Sequence, residues 1–452
     1  MLSFGRFNLD IILVDLPLRM QLVAPLNLAI LKTLASELGF QAKCVDFSIK
    51  YNTYFSKVLQ EAGEFELLKK ISAFRESSKV IAGINFLKDN ISELAARIAD
   101  EISVFDAKVV GITTRADSCY LALEIAKRLP GKVVLGGPGV YFSHKYLARY
   151  SFVKSIFVGR AEETFPKFLP KLVRGERVPK IIYGDFDFSR PIVPDYSDFD
   201  LSNYSALGIE TQSGCVNSCK YCSARAYMGS FKLKPIRILE EEVKELAKYR
   251  KLIYLCDNIP NPTKRRIIEV CKLFHKYGLK FFCNLAPDID GEVAYWLSLV
   301  CTHVTLGLES FSDDCLELMG RRYRFDQMIR SLTWLKRYGI RVHGMFFFGF
   351  PGEKLTSTLR TCIRILKHQN LMDTLALSSY ILTYNSYVHL HPEEFGVKIL
   401  RDGEVEAVLN AVPYEMSFTE KIKNKVRKFI VDVLFNYFDE KGKIGYWDVC
   451  RV

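Results

Sequence analysis

Three cysteines lie close together in one short loop, at a spacing that could bind a metal. Cys215, Cys219 and Cys222 follow the spacing C-x3-C-x2-C, directly after Gly214. Three thiolates this close together can converge on one cubane iron–sulfur cluster, and they leave one of its irons without a protein ligand. That open iron could chelate a small molecule that carries an amine and a carboxylate. The loop therefore predicts a metal centre that binds and activates a ligand.

Zinc is the alternative metal, because zinc sites also use C-x2-C pairs. A zinc site would require a fourth Cys or His at a complementary spacing. The other cysteines of this part of the chain stand singly in apolar stretches, as small buried hydrophobic residues do: Cys256, Cys271, Cys283, Cys301, Cys315 and Cys362. With twelve cysteines and no secretory signal, the chain is expected in a reducing cytoplasm, where clustered cysteines more often bind metal.

Two later motifs stand at the ends of predicted strands. Glu309 and Ser310 follow the apolar run Val304–Leu308, and the sequence GFPGE begins at Gly349, after Val342–Phe348. Together with the cysteine loop, these motifs resemble, in identity and order, those of the radical S-adenosylmethionine (radical SAM) superfamily. The resemblance covers roughly residues 208–384, and three ordered motifs are far more specific than the cysteine spacing alone.

The resemblance implies the roles of several residues. The three cysteines would ligate a 4Fe–4S cluster, and an electron donor such as ferredoxin or flavodoxin would reduce it. Tyr221 resembles the aromatic residue whose backbone contacts the adenine of S-adenosylmethionine. Glu309 and Ser310 stand where the superfamily contacts the ribose or the amine, and Gly349 belongs to a further cofactor-binding motif. Reductive cleavage of the cofactor would give methionine and a 5′-deoxyadenosyl radical.

Two observations limit the resemblance. Many related proteins have an arginine shortly after the third barrel strand, whereas residues 283–288 contain none. A contact to the carboxylate of the cofactor must therefore come from elsewhere. For Glu309, a salt-bridged carboxylate of the barrel wall is the structural alternative.

The first part of the chain alternates short apolar strands with helical stretches, which predicts a doubly wound, Rossmann-like parallel sheet. The predicted strands include Ile11–Val14, Ala42–Asp46 and Val109–Thr113. Ligands of such sheets bind beyond the carboxyl ends of the strands. The turns at those ends are the candidate ligand contacts: Asp15–Pro17, Thr113–Arg115, Gly136–Gly139 and Gly159–Ala161.

An open α/β domain before a radical domain resembles the cobalamin-binding radical SAM enzymes. This resemblance implies cobalamin contacts from Asp15, Gly111, Thr113, Thr114, Gly136, Gly137, Pro138 and Gly159. The cobalamin-binding pattern Asp-x-His-x-x-Gly is not matched, because Leu16 and Pro17 follow Asp15 and the first histidine of the chain is His144. The alternative is a domain that keeps this shape as a scaffold or a substrate-binding unit without cobalamin.

Repeated strand–helix units after residue 205 predict a parallel sheet that curls into a full or partial barrel. The expected organisation is a Rossmann-like domain at 1–180, a linker at 181–204, a radical SAM partial (β/α)6 barrel at 205–392 and a small, mostly helical segment at 393–452. In that segment, residues 421–438 have the pattern of an amphipathic helix that begins with several Lys and Arg residues. This helix either packs on the barrel or contacts a membrane surface or a lipid tail.

The composition narrows the class of partner. The formal net charge is +12, but Lys and Arg are scattered along the 452 residues, as on an ordinary solvated surface. No stretch is long and charge-free enough to cross a bilayer. We therefore expect a cytoplasmic protein, with a membrane-surface location as the alternative, that acts on a small molecule or a lipid and does not act on nucleic acid.

The leading functional hypothesis is cobalamin-dependent methylation of an unactivated carbon. The alternative within the superfamily is radical formation of a C–C bond or a ring, for example on a lipid, without methyl transfer. A non-catalytic metal-binding or RNA-binding protein is the third hypothesis, and the motifs at Glu309 and Gly349 argue against it.

Overall fold

The structure is a computed structural model that describes residues 9–17, 23–51, 91–116, 118–403 and 410–444. The described residues divide into two compact units after Gly208, except that Gly403 and Asn410 are grouped with the first unit. The predicted boundaries at 180, 204 and 392 stay a prediction.

The first unit contains a six-stranded parallel sheet with the strand order β2-β1-β3-β4-β5-β6. Its strands are β1 (Ile11–Asp15), β2 (Ala42–Asp46), β3 (Val109–Thr113), β4 (Val133–Gly136), β5 (Val153–Gly159) and β6 (Ile181–Gly184). Its helices are α1 (Leu26–Glu37), α2 (Cys119–Arg128), α3 (Val140–Leu147) and α4 (Thr164–Val173). Residues 47–51 and 91–103 are also helical. Every residue of β1 and β3 is buried, as expected for central strands of a sheet covered on both faces.

The strand order reverses between β1 and β3, which makes this position the topological switch point of the sheet. The two strands run in register, and Asp15 at the end of β1 lies opposite Thr113 at the end of β3. Open α/β sheets bind ligands in the crevice outside the carboxyl ends at such a point.

The second unit is built on a six-stranded sheet of order β14-β13-β12-β11-β10-β7, whose pairs from β10 to β14 are parallel. Its strands are β7 (Ala206–Ile209), β10 (Leu252–Leu255), β11 (Phe281–Leu285), β12 (Cys301–Glu309), β13 (Arg341–Phe348) and β14 (Thr374–Ser379). Because β7 and β14 stand at the two ends of this order, the sheet is an open barrel wall. The predicted partial barrel is confirmed.

The helices of the second unit mostly alternate with these strands. They are α5 (Ala224–Met228), α6 (Ile236–Leu246), α7 (Lys264–Lys276), α8 (Gly291–Val300), α9 (Asp313–Leu318), α10 (Phe325–Arg337), α11 (Leu355–His368), α12 (Tyr387–Leu390) and α13 (Phe418–Glu440). Single 3-10 turns occupy Leu201–Asn203, Ala247–Tyr249, Gln369–Leu371 and Pro392–Phe395. Among the described residues, no helix has the length and apolar character that a bilayer span requires.

Two small antiparallel pairs complete the fold. The strands β8 (Gln212–Ser213) and β9 (Lys232–Leu233) pair on either side of the cysteine loop. The strands β15 (Val397–Ile399) and β16 (Tyr414–Met416) pair in the tail, before α13. The tail therefore contains a strand pair as well as the predicted helix. With the two parallel sheets and their helices, the predicted α/β fold class is confirmed.

The structure differs from the predicted elements at a few places. The segment predicted as a linker begins with β6, which forms the sixth strand of the first sheet. The helix α3 and the strand β14 were not predicted at all. The single strand expected over residues 208–212 is divided. The chain leaves the strand conformation between β7 and β8, where the carboxylate of Asp257 accepts hydrogen bonds from the backbone N–H groups of Thr211 and Gln212 (2.9 and 3.1 Å).

Candidate active site

The start of the cysteine loop is fixed by a buried carboxylate and by a glycine. Asp257, which follows β10, accepts a hydrogen bond from the Thr211 hydroxyl (2.6 Å). It also accepts the hydrogen bonds from the backbone N–H groups of Thr211 and Gln212. Burial raises the pKa of Asp257 to about 6, although these hydrogen bonds oppose the shift. Gly214 has φ +76°, and a Cβ at this position would lie 2.8 Å from the carbonyl oxygen of Ser230. The chain can therefore turn into the loop only at a residue without a side chain.

Each of the three loop thiols accepts one N–H group. The backbone N–H of Asn217 points to the Cys215 sulfur (3.5 Å) and that of Ala224 to the Cys222 sulfur (3.4 Å). The third donor is the guanidinium of Arg321, whose Nη1 lies 3.5 Å from Cys219 Sγ. Such donors stabilise negative charge on sulfur, as a metal-bound thiolate requires.

The free thiols of Cys215 and Cys222 are protonated at neutral pH. Burial raises the pKa of Cys215, and it raises that of Cys222 to about 11; in both cases the charges of the other loop cysteines add to the shift. Binding of a metal would therefore displace protons from this loop.

The three sulfurs do not all lie at the distances from one another that one tetrahedral ion requires. A zinc ion holds thiolates at about 2.3 Å, which places pairs of sulfurs roughly 3.8 Å apart. Within the described part of the chain, only His391, Glu393 and Glu394 form a set of three ligand atoms all within 4.8 Å of one another. The three loop cysteines do not form such a set, so at least one pair of their sulfurs is more than 4.8 Å apart.

A carboxylate and a tyrosine lie beside the loop. Glu309, the last residue of β12, has φ +63° and follows a break in the register between β12 and β13. A non-glycine residue in this conformation costs on the order of 1–3 kcal/mol and often stands at a functional site. The Tyr221 hydroxyl donates to Glu309 Oε1 (3.1 Å), so the carboxylate lies near the cysteines.

Arg321 joins these groups and was not singled out from the sequence. Its Nη2 donates to the carbonyl oxygen of Gly307, while Nη1 reaches Cys219. Burial raises the pKa of Glu309, and Arg321 and the Tyr221 hydroxyl oppose that shift. For Arg321 itself, burial lowers the pKa, but the neighbouring Tyr221, Glu309 and Cys219 outweigh this effect, so that its pKa is raised overall. Only tertiary contacts identify this arginine, because no motif spacing includes it.

The remaining predicted residues of the second unit have protein partners. The Tyr221 carbonyl accepts the Thr383 hydroxyl (2.8 Å). Ser310 is buried, and its hydroxyl is bonded to that of Thr361 (2.8 Å). The Gly349 N–H donates to Glu353 Oε2 (2.6 Å). Thus Ser310 and Gly349 shape the ends of β12 and β13.

The buried Glu353 connects the motif that begins at Gly349 to the tail. Arg427 of α13 donates from Nη2 to the Glu353 carbonyl (2.7 Å), and its Nε lies 3.5 Å from the carboxylate. Thr358 donates to the same carboxylate (2.8 Å). This ion pair fixes α13 to the barrel.

The first unit places its predicted residues along the carboxyl edge of the sheet, except for Gly111. Arg115 pairs with the buried Asp15 (2.7 Å) and also donates to the carbonyl oxygens of Leu16 and Pro17. The Thr113 hydroxyl accepts from Asn27 (2.8 Å). The charge of Asp15 is thus neutralised by the fold itself.

The glycines of this unit have different surroundings. Gly111 lies inside β3, where a Cβ would come 2.8 Å from the Leu13 side chain, and at Gly137 it would meet the Thr113 hydroxyl at 2.5 Å. At Gly159 it would meet a backbone oxygen of Gly184 at 2.5 Å. A Cβ added at Gly136 would be 3.9 Å from its closest neighbour, the carbonyl oxygen of Phe157. Space is therefore left at the end of β4.

Comparisons with known proteins identify a family match for part of the second unit. Residues 209–362 match the Radical SAM superfamily. An uncharacterized methyltransferase of Pyrococcus horikoshii is 26% identical over 57% of this chain and 63% of its own length. A threonylcarbamoyladenosine tRNA methylthiotransferase of Thermotoga maritima is 26% identical over 34% of this chain and 39% of its own length. The chain therefore spans less than two thirds of the length of these curated relatives.

Two solved structures share the fold across both units. The radical SAM methyltransferase TsrM of Kitasatospora setae, with cobalamin and a [4Fe-4S] cluster bound, has a TM-score of 0.65 at 16% identity, covering 94% of this chain and 88% of its own. The cobalamin-dependent radical SAM enzyme OxsB has a TM-score of 0.66 at 16% identity, covering 93% and 66%. Residues 209–362 therefore match a radical SAM domain, and the fold of the chain resembles that of these two solved structures.

Proposed function

We propose that this chain reductively cleaves S-adenosylmethionine at a 4Fe–4S cluster and, with cobalamin, methylates an unactivated carbon of a small molecule or a lipid. The observation that carries the proposal is the loop of three thiols, each with an N–H donor, inside the region that matches a radical SAM domain. When bound, the cluster would supply one electron to S-adenosylmethionine, and cobalamin would carry the methyl group.

The residues of the second unit fit the first of these groups. Cys215, Cys219 and Cys222 would hold the cluster and leave one iron for the amine and carboxylate of S-adenosylmethionine. Glu309, which accepts from the Tyr221 hydroxyl of the same loop, would accept hydrogen bonds from the amine or the ribose of the cofactor. Arg321 supplies the positive charge that the third-strand segment lacks. An electron donor such as ferredoxin or flavodoxin would reduce the cluster.

The residues of the first unit fit cobalamin in part. The switch point between β1 and β3 and the space beside Gly136 would admit a nucleotide tail, with Thr113, Thr114, Gly137, Pro138 and Gly159 along the same edge. Asp15 is already paired with Arg115, and the turn after it offers no histidine to cobalt. Any lower ligand of cobalt must therefore differ from a histidine of this turn.

Similar proteins support the methyl-transfer part of the proposal. A further structure of TsrM contains a tryptophan substrate, and the relative from Pyrococcus horikoshii is described as a methyltransferase. The alternative is C–C bond or ring formation with the first unit as a scaffold. The observations in its favour are that Asp15 is paired with Arg115 and that the Thr113 hydroxyl lies 2.5 Å from where a Cβ of Gly137 would stand.

The experiment that tests the proposal is anaerobic reconstitution of the full chain with iron, sulfide and hydroxocobalamin. We expect about four irons per chain, one cobalamin, and formation of 5′-deoxyadenosine after reduction. Alanine at any of the three loop cysteines should abolish the deoxyadenosine. Cys256→Ala is the matched control, because this half-buried cysteine of the same unit lies outside the loop and should leave the iron content unchanged.

The possible outcomes separate the parts of the proposal. Zinc in place of iron would refute the radical chemistry. Four irons without any cobalamin would refute the methyl-transfer part and favour the alternative.

A further inference from the structure

Helix α13 has apolar side chains on two opposite faces. One face is buried in the second unit and includes Val431, Leu434 and Phe438. The other face is exposed, and its members recur every three or four residues, which places them on one side of a helix. We call this set the exposed stripe: Phe418 (77% exposed), Ile422 (49%), Val426 (43%), Phe429 (70%) and Val433 (56%).

The exposed stripe is too long to be scattered surface hydrophobicity. Its 15-residue span corresponds to about 22 Å of helix. Helix α11 packs against α13 and carries three further exposed apolar residues: Leu359 (44%), Ile363 (63%) and Leu366 (37%). Isolated apolar side chains are normal on a surface, whereas contiguous apolar patches mark interaction sites.

Lysines accompany the exposed stripe along its first half. Lys421, Lys425 and Lys428 each precede one stripe residue directly, so they follow the same direction along one flank of the helix; all three are exposed, and Lys421 is also paired with Glu415. Residues 418–433, which span the exposed stripe, include four lysines, Arg427 and two acidic residues, Glu420 and Asp432. The chain as a whole also has a net charge of +12.

We propose that α13 lies on an anionic membrane surface, with the exposed stripe inserted among the acyl chains and the lysines at the level of the headgroups. Helices with an apolar face flanked by Lys and Arg bind lipid in this way, and each lysine near an anionic surface contributes about 1 kcal/mol. A two-fold contact with a second copy would bring the two lysine rows together and would be opposed by their repulsion. Lysine is also depleted at the centres of protein interfaces.

Contacts with the rest of the second unit hold α13 in its helical position. Arg427, on the buried face, is bonded to Glu353 and to Thr358 (3.1 Å), so the helix is held before any lipid is met. Docking therefore does not include the free-energy cost of folding the helix, unlike the binding of an unstructured peptide.

The test uses the full chain with its cofactors and vesicles of phosphatidylcholine that contain 30% phosphatidylglycerol, compared with vesicles of pure phosphatidylcholine. We expect flotation with the anionic vesicles only, and weaker binding at high salt. The double variant Ile422→Ser/Phe429→Ser should lower the partition coefficient at least about tenfold. Lys425→Gln/Lys428→Gln should lower it roughly fivefold per lysine at low salt.

Tyr295→Ser is the matched control, because Tyr295 is an exposed aromatic residue (46%) on α8, outside the exposed stripe. It should bind vesicles like the unaltered chain, and circular dichroism should show that all variants are folded. Absence of binding to anionic vesicles would overturn the proposal, as would equal binding of the stripe variant. A dimer in solution that only the stripe variant dissociates would also overturn it and assign the surface to a second copy.

Discussion

At the scale of single residues, Arg321 connects a cysteine sulfur to the residues proposed to meet the cofactor. It donates to Cys219 Sγ and to the carbonyl oxygen of Gly307, and its charge lies near Glu309. Hydrogen bonds to the sulfurs and the net charge nearby are among the factors that set the potential of an iron–sulfur cluster. A reduced cluster carries one more negative charge, so this guanidinium should favour reduction.

We therefore expect Arg321→Gln to lower the reduction potential of the reconstituted cluster by on the order of 50 mV, close to a tenfold change for one electron. Arg321→Lys should shift it less, because the charge remains. The measurement is a redox titration followed by electron paramagnetic resonance, at matched iron content. Arg360→Gln is the control, since Arg360 pairs with Asp314 (2.9 Å) and should leave the potential unchanged. An unaltered potential in Arg321→Gln would contradict the assigned role.

Asp257 gives a prediction for pH and stability. Burial raises its pKa from 3.8 to about 6, and the charge of Glu210 adds to the shift, while the charge of Arg266 attracts the ionised form. The folded state thus holds more protons than the unfolded state between about pH 4 and 6. The corresponding stabilisation is present below pH 4 and is lost as the pH rises through about 6, and it amounts to at most roughly 3 kcal/mol.

Asp257→Asn should remove this dependence, because an amide can accept the same two N–H groups and can donate to the Thr211 hydroxyl. The measurement is urea unfolding of the metal-free chain at several pH values between 4.5 and 7. Unfolding can be followed by tryptophan fluorescence. All three tryptophans lie beyond residue 290, so none of them is next to Asp257 in the sequence. The free energy of unfolding should fall with pH more steeply in the original chain than in the variant. Parallel curves would show that Asp257 does not titrate in this range.

At this scale, the sequence predicted some residues of the candidate site and missed others. The cysteines and Glu309 stand in short motifs whose spacing carries the chemistry. Arg321 and Asp257 act through contacts with residues that are 102 and 46 positions away, and no local pattern encodes such contacts. Asp15 was predicted as a ligand contact, and its pairing with Arg115 likewise depends on two strands becoming neighbours.

At the scale of elements, the turn from β8 into the cysteine loop depends on Gly214. Gly229 has nearly the same φ (+73°), but a Cβ there would meet no atom within 4 Å. Gly229→Ala should therefore bear only the cost of the left-handed conformation, about 1–2 kcal/mol. Gly214→Ala should in addition displace the backbone around Ser230 and, with it, the loop that holds the thiols.

We expect Gly214→Ala to bind at most about half the iron of the original chain, and Gly229→Ala to bind nearly all of it, since a backbone shift of the loop separates the ligands. The measurement is iron per chain after identical anaerobic reconstitution, with circular dichroism to confirm folding. Full iron content in Gly214→Ala would show that the loop tolerates the displacement.

Elements with strong apolar patterns were predicted closely, whereas weak ones were missed. The strand Ala42–Asp46 and the strand Val109–Thr113 have the predicted bounds. The strand β6 has only four residues, and Tyr183 is 63% exposed, so its pattern is too short to be distinguished from a loop. The helix α3 begins directly after the glycine-rich turn, whose residues signal a loop more strongly than a helix.

At the scale of the whole molecule, the residues proposed for the two bound groups belong to different compact units. The cysteines and Glu309 are in the second unit, whereas the carboxyl edge with Gly136 is in the first. Loading of iron and loading of cobalamin should therefore be separable by single substitutions, if each unit folds around its own ligand. A chain that used one shared site would lose both together.

Two substitutions test this independence, Gly136→Leu in the first unit and Cys219→Ala in the second. A leucine side chain can be placed at Gly136, because no protein atom lies closer than 3.9 Å to a Cβ added there. The longer side chain should fill the position proposed for the nucleotide tail and reduce cobalamin binding at least about tenfold, while about four irons per chain remain. Cys219→Ala should give the reverse, with cobalamin retained and the cluster lost. Iron and cobalt are measured on the same samples, so each variant is the control of the other. Retention of cobalamin by Gly136→Leu would place its site away from the end of β4, and loss of both groups in either variant would contradict their independence.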